Sequence, residues 1–154
     1  MAAGWRIVKT KHAAGAFSGE GARLYGGRWT SRGRRAVYVS STIALATLEI
    51  VVQLETAAPL GAYSLFRVTI PEELVTTLRT AELPRDWRSY PAPASLQAIG
   101  DAWLDAGRTP ALRVPSAIVP SEFNYVLAPA HPSFRRIKVG RRQRYDLDPR
   151  LRRA

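Results

Sequence analysis

The chain has 154 residues, 46% of them hydrophobic, four tryptophans and a formal charge of +11. That length supports one buried core but not two, and the apolar content excludes a disordered chain. No cysteine occurs and only His12 and His131 are present, so disulfides and thiolate metal sites are excluded and an imidazole centre would need several carboxylates beside it. In chain order, WRIV at residues 5–8 predicts a short strand, and the segment to Arg35 reads as loop, punctuated by Gly15, Gly19, Gly21, Gly26, Gly27 and Gly33. AVYVS at 36–40 predicts a strand. Ser41 or Thr42 can cap a helix running to about Leu54, with Leu45, Leu48 and Val52 spaced to face a core. Tyr63 to Ile70 predicts a buried strand closed by Pro71, and Glu72 to Thr77 one helical turn. Prolines 84, 91 and 93 mark a surface connection, after which Ser95 to Ala106 predicts an amphipathic helix ending at Gly107. Short strands are predicted over 111–119, 124–127, 134–139 and 144–147.

The sum is an α+β mixture without a β-α-β rhythm or internal repeat. The charge is uneven: residues 135–154 carry nine Arg or Lys against two Asp, about +7 of the total. Twenty of the 23 basic residues are arginine, which suits bidentate contact with phosphate or carboxylate. The basic segment reads first as a solvated strand and terminus, then as a dock for an acidic protein, and last as a nucleic-acid contact. MAAGWRIVKTKH lacks the apolar core of a secretory signal, and no run approaches the roughly 20 apolar residues that span a bilayer. A cytoplasmic protein with no membrane contact is the expectation.

The richest stretch is Ser18 to Leu54. It joins a glycine-rich arginine loop, a strand holding Tyr38, and an apolar helix bearing one carboxylate, Glu49. Glycines let main chain approach a bulky ligand, arginines suit phosphates, and a carboxylate on an apolar helix is costly without a task. Together they point to a nucleotide pocket. Taken singly, Glu49 also reads as half of a helix-edge ion pair, Arg28 and Arg6 as surface arginines, Tyr38 as a core aromatic, Ser116 as a turn residue and Gly27 as a plain turn. No histidine and acid pattern accompanies Ser116, so it is not an acyl-type nucleophile.

The run GEGARLYGGRW, then VYVS, ALATLE, RVPSAIVP, FNYVLAPAHPSF and DPRL, in that order from Arg6 to Leu151, resembles the RES-domain toxins of bacterial toxin-antitoxin pairs. Thr30 and Ala128 depart from the family, each standing where Asn is usual. The resemblance implies one domain over 1–154, with a fold similar to ADP-ribosyltransferases: small mixed sheets, flanking helices and NAD in a cleft. It implies NAD+ consumed as substrate, with no prosthetic group and no metal, by hydrolysis or with inorganic phosphate as co-substrate. Some relatives instead transfer ADP-ribose to a protein, and a non-enzymatic basic module binding nucleic acid is the rival outside enzymology. Glu49, Arg28 and Tyr38 are the implied catalytic residues, and Arg6, Gly27, Ser116 and Asn124 the implied NAD contacts. A helix-turn-helix (Xre-type) antitoxin is the implied partner, with a homodimer inside the complex and DNA reached only through the antitoxin. The chemistry suits these residues. Nicotinamide leaves as a neutral molecule, so one carboxylate stabilising an oxocarbenium-like sugar can carry the reaction without a general acid.

Overall fold

The fold is built on one mixed sheet with strand order β4-β5-β6-β2-β1-β3-β7, and β8 also pairs with β3. The structure, a computed structural model, describes residues 1–54 and 61–151. The strands are β1 (Ala2–Lys9), β2 (Val37–Ser40), β3 (Tyr63–Ile70), β4 (Val75–Thr77), β5 (Ala111–Pro115), β6 (Phe123–Leu127), β7 (Lys138–Val139) and β8 (Gln143–Tyr145), and the helices α1 (Glu20–Tyr25), α2 (Ile43–Val51) and α3 (Ala94–Ala106). Among the described strands only β4 and β5 pair in parallel. Among the described residues no helix is long and apolar enough to cross a membrane.

Alternation along the strands creates two unlike faces. On one, Val37, Val39, Val68, Ile70, Tyr125 and Leu127 form a continuous apolar layer, closed by Phe17, Phe134 and Ile137. On the other, the apolar residues split into two clusters. Leu112, Val114 and Val126 pack with Trp29, Leu96 and Trp103 beneath α3. Ile7, Tyr63 and Leu65 pack with Ala46, Ile43 and Ile50 of α2. The two helices therefore cover different halves of one sheet face and leave a seam between them.

The same division runs through the backbone. β1 and β3 pair along eight residues, whereas β1 and β2 pair only at Trp5 and Ser40. The implied small mixed sheets are thus two blocks of strands joined at one residue pair. Where β1 leaves β2, the Arg6 side chain takes over the lost backbone contact, donating from Nη1 to the Tyr38 carbonyl at 2.8 Å and from Nε to Ala16 O at 2.7 Å.

Several predicted elements shift for identifiable reasons. Thr42 caps α2, accepting from the Leu45 N–H at 3.0 Å, but of the three residues spaced to face a core only Leu45 does so. Leu48 is 37% and Val52 61% exposed. The helix is apolar around most of its circumference, so spacing cannot select the buried stripe, and packing buries Leu45, Ala46 and Thr47 with Ile43 and Ile50 partly buried against the β1–β3 cluster. The predicted turn over 72–77 is a 3-10 turn only to Leu74, because Val75–Thr77 is recruited as a strand beside β5. Of the stretch 111–119, only Ala111–Pro115 is a strand. Residues 132–136 form a 3-10 turn rather than a strand, nucleated by His131. Its Nδ1 accepts from the Ser133 N–H at 3.0 Å, which fixes the proton on Nε2, and Nε2 donates to Gly107 O at 2.8 Å. Arg152 and Arg153 of the basic segment lie outside the described residues.

Candidate active site

The seam between the two helices is closed at one end by three side chains from three elements. Glu49 projects from the last turn of α2, two residues before Val51, Asn124 stands on β6, and Ser116 follows directly on β5. Register brings the last two together: Val114 pairs with Asn124 and Ser40 pairs with Asn124 from the other side, so Asn124 faces α2 and not the layer behind the sheet. Its Nδ2 donates to Glu49 Oε1 at 2.8 Å. Ser116, fully buried, accepts from the Ile118 and Val119 N–H groups at 3.1 Å each, which turns its own proton toward Glu49 Oε1 at 3.4 Å.

The arrangement is asymmetric. Both donors approach Oε1, while Oε2 has no hydrogen-bond partner and the carboxylate no cationic partner among the described residues. The helix-edge ion pair therefore does not form there. Asn124 Oδ1 is buried and likewise lacks a partner among the described residues. An unfilled acceptor of this kind normally costs about 1–3 kcal/mol, so the site holds back hydrogen-bonding capacity that a donor-bearing ligand would use.

The other half of the seam is formed by the glycine-rich loop. Gly27 lies against Tyr38, and a Cβ there would fall 2.5 Å from the phenol oxygen. Glycine is required for that approach. The Tyr38 hydroxyl accepts from the Trp29 N–H at 3.3 Å and shares a hydrogen with Thr30 Oγ1 at 2.7 Å. Burial raises its pKa, and the Thr30 and Trp29 hydrogen bonds offset this only in part. The Tyr38 hydroxyl is thus occupied by the loop, and its ring packs against the cluster beneath α3. Thr30 is fully buried and supplies that contact.

Arg28 follows directly. Its Nη1 donates to the carbonyls of Trp87 and Ser89, each at 3.0 Å, leaving Nε and Nη2 without partners among the described residues. A guanidinium pinned by one nitrogen keeps a planar pair of donors for an anion. Arg28 and Glu49 do not touch. They are connected through the 87–89 segment, where Arg88 Nε donates to Ala117 O at 2.9 Å, next to the Ser116 that binds Glu49. Trp29 and Tyr38 pack with Val126, on the sheet face that also carries Asn124. Both charged groups therefore stand over the same side of the sheet.

Arg6 is placed differently. It alternates with Ile7, which packs under α2, and lies over the Phe17 ring at 6.0 Å with two of its nitrogens bound to carbonyls. Burial lowers its pKa to about 10. No contact joins it to Glu49 among the described residues. Sequence reading did not single out Gln97 or Asp101 of α3, yet both bind the glycine-rich loop. A glycine within a helix, Gly100, was the available signal: its Cα hydrogen faces the Trp29 carbonyl, and an added Cβ would sit 1.6 Å from that oxygen.

Comparison with known proteins identifies the family and the fold. The chain matches the RES domain family over residues 3–148. It is 39% identical over 130 residues to Toxin Res of Yersinia enterocolitica, covering 84% of this chain and 86% of that protein. It is 38% identical over 148 residues to Toxin Res of Photorhabdus laumondii, covering 96% and 95%. It is also 38% identical over 153 residues to the Prs ADP-ribosylating toxin of a Sphingobium species, covering 96% and 94%. Among solved structures, the crystal structure of the M. tuberculosis MbcT-MbcA toxin-antitoxin complex contains a chain that superposes with a TM-score of 0.75 at 22% identity, over 97% of this chain and 86% of that one. The fold is shared, and the chain belongs to the RES-domain family.

Proposed function

We propose that this protein is the toxin of a toxin-antitoxin pair and consumes NAD+ by breaking the bond between nicotinamide and ribose. The observation that carries the reading is Glu49: a half-buried carboxylate tethered through Oε1 by Asn124 and Ser116, with Oε2 left open. In the reaction the carbon–nitrogen bond breaks, its electron pair leaves with nicotinamide, and positive charge grows on the sugar. Oε2 stabilises that charge and holds a ribose hydroxyl. Fixed in advance by two hydrogen bonds, it needs no reorganisation as the charge develops. Water then adds to the sugar carbon and loses its proton to solvent, giving ADP-ribose; attack by inorganic phosphate gives the phosphorylated sugar instead.

The remaining residues take compatible roles. The open nitrogens of Arg28 bind the pyrophosphate, Gly27 lets the dinucleotide approach the main chain, and the Tyr38 ring lies beside the nicotinamide ribose. The unpartnered Asn124 Oδ1 accepts from a substrate N–H or O–H. Arg6 holds β2 against the Ala16 turn where the two blocks of strands diverge, and so maintains the cleft.

The toxin role rests on relatives named as toxins and on the MbcT-MbcA neighbour. A helix-turn-helix antitoxin covering the seam would meet an apolar rim, since Leu48, Val52 and Phe123, the last 40% exposed, flank Glu49 and Asn124. Transfer of ADP-ribose to a protein is the second reading, favoured by the Sphingobium relative's name. It uses the same bond cleavage with a different acceptor.

Induced expression in a bacterial host without an antitoxin tests the role. Growth arrest with a fall in cellular NAD, both abolished by Glu49→Ala, is the expected result; unchanged NAD during arrest would overturn it. Radiolabelled NAD in lysate separates the acceptors, with label on a protein band marking transfer and label on small molecules marking degradation.

A further inference from the structure

Besides Tyr38 from the sheet, the glycine-rich loop is held by one helix, α3. Gln97 Nε2 donates to Gly27 O at 3.0 Å and to Thr30 O at 3.4 Å, so one amide spans both ends of the turn that carries Arg28. One helical turn on, Asp101 accepts from the Ser31 N–H at 3.1 Å through Oδ1 and from the Ser31 hydroxyl through Oδ2. Between them Gly100 seats the Trp29 carbonyl directly on the helix. Positions 97, 100 and 101 lie on one helix face, and that face meets residues 27, 29, 30 and 31 in succession. A further turn along, Arg34 reaches Asp105 at 2.5 Å on the surface.

These contacts exceed what packing needs. The apolar part of the interface is already supplied by Trp29, Leu96 and Trp103. The polar contacts instead fix main-chain atoms on both sides of Arg28, whose side chain has only one nitrogen held. A donor fork on an unheld loop would lose orientational freedom on each binding event, whereas a held one has lost it already.

We propose that Gln97 and Asp101 are positioning residues for the NAD site, acting through Arg28; this rests on the reading of the site given above. α3 is then a template that presents the Arg28 guanidinium to the dinucleotide pyrophosphate. The effect falls on substrate binding and not on the carbon–nitrogen cleavage at Glu49.

The test is a set of steady-state nicotinamide-release measurements on full-length protein, with thermal midpoints recorded for every variant. Asp101→Ala and Gln97→Ala should each raise KM for NAD by roughly tenfold, the scale of a lost hydrogen-bond pair, with kcat within about twofold of wild type. Asp101→Asn should restore most of the affinity, because its amide still accepts from the Ser31 N–H and donates to the Ser31 hydroxyl. In an Arg28→Ala background, Asp101→Ala should add little to KM. Effects that multiply in that background, or a fall in kcat with KM unchanged, would overturn the proposal. Hydrogen exchange of residues 27–31 gives a readout independent of turnover: Asp101→Ala should speed exchange there and leave β5 and β6 protected. Unchanged exchange would overturn positioning even if KM rose. Wild-type protein that releases no nicotinamide under any condition would instead remove the site reading beneath the proposal, a failure distinct from the other two.

Discussion

The two ends of the seam are built on opposite principles. At the Glu49 end, three side chains, from α2, from β6 and from the residue after β5, leave a carboxylate oxygen and an amide oxygen without partners among the described residues. At the glycine-rich end, main-chain groups on both sides of Arg28 are occupied by Tyr38, Gln97 or Asp101. One end holds unsatisfied polarity in place; the other is largely saturated around Arg28, with two guanidinium nitrogens left without partners among the described residues. The contrast separates chemistry from binding. Charge stabilisation needs an acceptor kept open until the transition state, while pyrophosphate recognition needs a donor fork with its freedom already removed.

The comparison breaks most visibly where the saturated end meets α3. Gly100→Ala places a methyl inside the van der Waals envelope of the Trp29 carbonyl, and should cost on the order of 3–5 kcal/mol of stability. Denaturant unfolding measures it, and a loss below 1 kcal/mol would mean α3 does not seat the loop. Arg28→Ala should weaken NAD binding by roughly 30-fold, with Arg28→Lys failing to restore it because a point charge cannot reproduce the fork; KM for NAD and calorimetric binding read this. Ser116→Ala strips the Ile118 and Val119 amides of their acceptor as well as Glu49 of a donor. A stability loss of about 1–2 kcal/mol with a several-fold fall in kcat should follow. His131→Ala sharpens the contrast as a control: it removes two hydrogen bonds of the turn after β6, costing about 1 kcal/mol, and should leave nicotinamide release unchanged.

Legibility in the sequence followed local chemistry. β3 has its predicted limits because an apolar run is closed by Pro71, and α3 ends where predicted because its stop at Gly107 is marked, though it starts one residue earlier, at Ala94. α1 was hidden: EGARLY carries an internal glycine and follows Gly19, and the helix leans on ion pairs from Glu20 to Arg23 and Arg35 that no local pattern announces. β4 and β7 are three and two residues long and exist only as additions to longer strands. The site divides in the same way. Glu49 stands out as the lone carboxylate on an apolar helix, but its partners Ser116 and Asn124 are 67 and 75 positions away, so only the family resemblance put them together. Gln97 and Asp101 escaped because they bind main-chain atoms, whose positions no side-chain motif encodes. The resemblance likewise supplied Arg6, and the structure places that guanidinium between β1, β2 and the Ala16 turn.

The most direct measurement is nicotinamide release from saturating NAD by purified wild-type and Glu49→Gln protein with matching thermal midpoints. If the open carboxylate oxygen stabilises charge on the ribose, kcat falls by roughly 10³-fold while NAD still binds. Equal rates in the two proteins would contradict that assignment of Glu49.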